Sequence, residues 1–123
     1  MSGRRVIIVR ADQQARANSM LAQVAPDSDY AKTFDVPLYN ASGVVVGYWC
    51  SWDFAATKRS LATLRSEAVK AGIPAGKIAD LADPSGAALG SVAFVFDPEA
   101  IDTKAVLAKL GVSATNPKNP AVA

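Results

Sequence analysis

Apolar residues recur along the chain with two different periods, and the places where the period changes mark out the elements. Residues 4–11 are apolar on both sides of a two-residue alternation: Val6 and Ile8 point one way, Ile7 and Val9 the other. Charge appears only towards the ends, at Arg4, Arg5 and Arg10, which predicts a central strand rather than an edge. Asp12 stands where a helix N-cap belongs. Ala17, Met20, Leu21 and Val24 then follow at the i, i+3, i+4, i+7 spacing of an amphipathic helix, which Pro26 ends.

Residues 33–40 alternate, with Phe34, Val36 and Leu38 on one face and Thr33, Asp35, Pro37 and Tyr39 on the other. Pro37 cannot donate a ladder hydrogen bond, so this strand belongs at an edge or a bulge. The run Asn40-Ala41-Ser42-Gly43 is a turn, and a second strand begins directly after it, predicting a β-hairpin. That second strand places Val44, Val46, Tyr48, Cys50, Trp52 and Phe54 on an apolar face. Val45, Gly47, Trp49, Ser51 and Asp53 fall on a mixed one. The two tryptophans are thereby separated, Trp52 into the core and Trp49 onto the opposite side.

A helix over residues 55–71 follows, with Leu61, Leu64, Ala68 and Ala71 as its stripe and Gly72 as its stop. The connection over 73–90 has room for one helical turn at about 75–81. A last strand over 91–97 directs Val92, Phe94 and Phe96 inward and Ala93 and Val95 outward. A third helix starts at Asp97 or Asp102, ends at Gly111, and carries Val106, Leu107 and Leu110 as its apolar side. Residues 113–123 show no periodicity and contain two prolines. On its own such a tail is disordered.

The order β-α-β-β-α-β predicts an α+β fold of the ferredoxin-like kind: an antiparallel sheet of order 4-1-3-2 with two helices on one face. The third helix and the irregular tail are appended to it. The two-sided first strand and the proline-bearing second strand fall at the centre and edge that this order requires. One domain over 1–112 and a tail over 113–123 result. The second sheet face then holds Ile7, Val9, Tyr39, Val45, Trp49, Ala93 and Val95, several of them large and apolar. A cover is required, and the third helix is the economical one.

Composition narrows the chemistry. The 123 residues contain no histidine and one cysteine. That excludes Ser-His-Asp and Cys-His nucleophile systems, histidine-ligated metals and an internal disulfide. No phosphate-binding glycine loop is present, so neither catalytic residues nor cofactors are assigned. A formal net charge of +2 gives no electrostatic case for nucleic acid or an anionic membrane. The apolar run at Val6–Val9 is too short for a secretory signal or a membrane span. A cytoplasmic protein, or part of a particle assembled inside the cell, is expected.

RNA-recognition motifs share the expected topology, but Val46 stands where their third-strand signature has a basic residue and Trp49 where it has a small one. Nucleic-acid binding would rest on Arg4, Arg5, Arg10 and the basic second helix, charges that more simply make a solvated face. Cys50, in phase with Tyr48 and Trp52, reads as a buried thiol, and Asp53 as a cap or hinge residue. The leading expectation is a small non-enzymatic interaction or assembly protein, in the manner of accessory proteins of bacteria and their viruses. It would pair with itself or a protein partner through the second sheet face or a strand edge, with Trp49, Tyr39, Val45 and Val95 as candidate contacts. The alternative is a small enzyme or ligand-binding protein with a pocket between sheet and third helix, lined by Trp49, Tyr39 and Asn40.

Overall fold

The computed structural model describes residues 4–24, 36–53, 60–83 and 91–119, apart from the side chains of 21–24 and 53. Strand β1 (Arg4–Arg10) runs through a 3-10 turn at Ala11–Gln13 into α1 (Gln14–Val24). The hairpin β2 (Val36–Tyr39) and β3 (Val45–Asp53) is followed by α2 (Leu61–Lys70) and a 3-10 turn at Ala75–Lys77. Strands β4 (Ile78–Asp80) and β5 (Ala93–Phe96) and helix α3 (Thr103–Lys109) complete an α+β arrangement with a five-stranded mixed sheet.

The sheet order is β2-β3-β1-β5-β4. The expected four-stranded, wholly antiparallel sheet is corrected at one end. Residues 78–80, expected within a helical turn, form β4 and pair in parallel with β5, Ile78 beside Ala93 and Asp80 beside Val95. The last long strand is consequently interior, and all four of its residues are buried. β1 does lie at the centre, antiparallel to both β3 and β5, and the proline-bearing β2 is the other edge.

Local chemistry accounts for the boundaries. In the hairpin turn, Asn40 Oδ1 accepts from the backbone N–H groups of Ser42 (3.0 Å) and Val44 (2.9 Å), while Gly43 takes a φ of 79°. Ser60 caps α2 by accepting from Thr63 N–H, and Gly72 stops it in the left-handed region with φ of 92°. Asp12 lies inside the 3-10 turn instead of capping α1. Asp102 caps α3 by accepting from Lys104 N–H at 3.1 Å, which settles the start of that helix. Asp102→Ala should lower stability by about 1 kcal/mol, read as an earlier urea midpoint with an unchanged slope. The expected second-helix residues 55–59, the strand residues Thr33, Phe34, Asp35 and Phe54, and Pro26 lie outside the described residues, as do the side chains of Leu21 and Val24.

Both sheet faces carry a core. Under α1 and α2 lie Ile7, Val9, Cys50, Trp52, Ala93 and Val95, with Ala17, Met20, Leu64 and Ala68 from the helices. Under α3 lie Val6, Ile8, Leu38, Phe94 and Phe96, with Val106, Leu107 and Val112. The third helix therefore covers the second face.

Several residues lie on the face opposite to the one expected. Ile7, Val9, Ala93 and Val95 belong beneath α1 and α2, whereas Phe94, Phe96, Val36 and Leu38, and Val46 across the hairpin's register shift, share the α3 side with Trp49. The register imposes this arrangement, because residues paired across neighbouring strands share a face. Ile7 stands opposite both Cys50 and Val95, and Ile8 opposite both Trp49 and Phe94.

Candidate functional site

One row of side chains crosses the α3 side of the sheet from edge to edge: Ala79, Phe94, Ile8, Trp49 and Val36, each paired with the next. Exposure is lowest in the middle and rises from Ile8 towards the β2 edge, while Ala79 at the other end is half-buried. Phe94 and Ile8 are 1% and 2% exposed, Trp49 is half-buried, and Val36 reaches 38%. Trp49 still packs against the α3 core. The hairpin beyond adds Val44, exposed by more than half, and the half-buried Val45.

Of the four candidate contacts, the structure brings three to this end of the sheet. Trp49 is opposite Val36, and Tyr39 is opposite Val45 across a register shift in the hairpin. Val95 is buried on the other face and takes no part. Val36 itself, assigned from alternation to the core, is a contributor the sequence reading missed. A strand with apolar residues on one phase does not reveal which of them its cover fails to reach.

The same edge carries a second feature. Asn119 reaches back to Tyr39: Oδ1 accepts from Tyr39 N–H at 2.7 Å and Nδ2 donates to Tyr39 C=O at 2.9 Å. Ser113 N–H also donates to Tyr39 C=O at 2.9 Å, and Asn119 Nδ2 to Ser113 C=O at 2.7 Å. Lys118 Nζ lies 5.4 Å from the centroid of the Tyr39 ring. Residues 113–119, expected to be disordered alone, are thus tied to β2.

Between the sheet and α3 is a pocket lined in part by Ile8, Leu38, Gly47, Phe94, Leu110 and Val112, with a volume of about 10 Å³. That is room for about one water. Trp49, Tyr39 and Asn40, expected to line such a pocket, are not in its wall.

Several basic residues make contacts within the fold. Arg10 Nε donates to Ser91 C=O at 2.6 Å and its guanidinium lies over Phe94. Arg65 Nη2 donates to Ile78 C=O at 3.0 Å, Lys70 pairs with Glu67 and Arg5 with Asp97. Cys50 is buried, and the side chain of Asp53 lies outside the described residues. Among the described residues no three His, Cys, Asp or Glu side chains gather as a metal site, and no helix is long and apolar enough to cross a membrane. Comparison of the chain with protein-family models, curated proteins and solved structures finds no match.

Proposed function

We propose that the protein is a non-enzymatic interaction protein whose contact surface is the β2–β3 end of the α3-side sheet face, where it meets a second copy or another protein chain. The observation that carries this reading is the gradient along the cross-sheet row. Its apolar character continues from Phe94 to Val36, while burial is lost beyond Trp49. Interface cores favour a partly exposed aromatic anchor with aliphatic neighbours. The pocket between the sheet and α3 has space for about one water and does not include Trp49, Tyr39 or Asn40 in its wall.

The antiparallel pairing of β1 with β3 and β5, and of β2 with β3, further supports reading the fold as a split βαβ unit extended by β4. A lone buried thiol needs no oxidising compartment, which fits action inside the cell.

A photoreactive residue placed at position 36 of the full chain, expressed in its native cells, tests the proposal. It should give one dominant protein adduct, which mass spectrometry identifies as self or other. Trp49→Ala should abolish the adduct while costing about 1–2 kcal/mol of stability, since a half-buried side chain forfeits only part of a core truncation. If position 36 yields no adduct, or if Trp49→Ala leaves its yield unchanged, the reading is wrong.

A further inference from the structure

The contacts around Tyr39 form a strand substitute. Across an antiparallel ladder, the residues of a hydrogen-bonded pair exchange two closely spaced bonds, one N–H to C=O in each direction. Asn119 reproduces that exchange with a side chain: its amide oxygen takes the Tyr39 N–H and its amide nitrogen serves the Tyr39 C=O. A primary amide has the same donor and acceptor groups as a peptide unit, so Tyr39 is satisfied as a sixth strand would satisfy it. Ser113 N–H adds a second donor to the same carbonyl.

Strand β2 needs this protection. It is a sheet edge, and natural edges are commonly blunted by charge, proline or a covering segment. Residues 36–42, Val-Pro-Leu-Tyr-Asn-Ala-Ser, contain no charge. Pro37, two residues before Tyr39 and so turned to the same side, has no N–H to offer there. Within β2, Tyr39 is thus the outward position with both a donor and an acceptor. Two copies related by a two-fold axis through Tyr39 would exchange N–H and C=O reciprocally, closing two backbone bonds without any charge meeting its like.

We infer that Ser113–Asn119 is a guard strap, which holds shut a self-pairing edge centred on Tyr39, and that releasing it lets two copies join through β2. The strap holds β2 by the Asn119 side chain and a single backbone bond from Ser113. It can detach without breaking any strand pairing, because none of the sheet ladder bonds passes through it. This inference is independent of the contact surface proposed above, and either can fail alone.

The test uses the purified full chain with Asn119→Ala, and Asn119→Asp as a second variant that keeps the acceptor for Tyr39 N–H but loses both Nδ2 bonds. Hydrogen exchange at Tyr39 should accelerate at least about tenfold in Asn119→Ala, and by less in Asn119→Asp. Sedimentation velocity in the micromolar range should show Asn119→Ala self-associating at least about tenfold more strongly than the parent, over and above any association the parent makes through the Trp49–Val36 face. Adding Tyr39→Cys to Asn119→Ala should trap the dimer as a disulfide under mild oxidation, and Tyr39→Cys alone should trap far less. The inference is overturned if Tyr39 stays protected without Asn119, or if the edge opens and the chain remains monomeric. It is equally overturned if the parent dimerises as strongly as the variant, or if the dimer does not cross-link at position 39.

Discussion

Trp52→Ala should destabilise the chain by about 3–5 kcal/mol, the range for emptying a fully buried aromatic site. Trp52 is 1% exposed and the largest of the fully buried side chains, in the core that α1 and α2 cover. Domains of this size have about 5–15 kcal/mol in total, so the variant should be marginally folded at ambient temperature and show a much earlier urea midpoint. The comparison with Trp49→Ala carries the structural content. The two tryptophans are three residues apart on one strand, yet one is enclosed and the other half-buried on the opposite side. Equal losses at the two positions would contradict that separation.

Gly47→Val should cost about 3 kcal/mol, at the upper end of the range for overpacking. A Cβ at position 47 would stand 2.9 Å from Val9 C=O and 3.4 Å from Ile8 Cγ2. The nearer obstacle is backbone, held in the β1 ladder, and cannot rotate away as a side-chain tip could. β1 and β3 would have to separate where Arg10 meets Gly47. Gly76 supplies the control, because a Cβ there meets nothing within 4 Å. Gly76→Ala should change stability by no more than about 0.5 kcal/mol. Urea denaturation of the two variants side by side decides the matter: similar midpoints would mean that β1 and β3 do not approach so closely at Gly47.

What could be read from sequence divides along physical lines. β3 alternates strongly, so Trp49 and Trp52 fall on the faces the alternation assigns them. β1 offers no such phase. With Val6, Ile7, Ile8 and Val9 all apolar, either pair can face either core, and only the register with Cys50 and Trp49 decides. β5 inherits the same ambiguity through its pairing with β1. β4 is hidden for another reason: three residues with a single fully buried member, Ile78, cannot show a period. A parallel edge strand is recruited by its neighbour's open ladder more than by its own pattern. The strap on Tyr39 is least legible of all, because it depends on one asparagine amide meeting a backbone eighty residues away. The third helix was foreseeable, since Val106, Leu107 and Leu110 needed a surface and the second sheet face needed a cover.

The placement of β1 between β3 and β5 also bears on how the chain is made. β1 is synthesised before both of its neighbours, and β5, with Phe96 opposite Val6, follows long after β3. Until β5 arrives, one flank of β1 and of the β2–β3 hairpin's sheet is an open ladder, and Ile8 and Val6 have no α3 above them. A nascent chain in that condition can pair with any extended segment nearby. Folding should therefore be comparatively slow, because its decisive contacts are also its most distant in sequence.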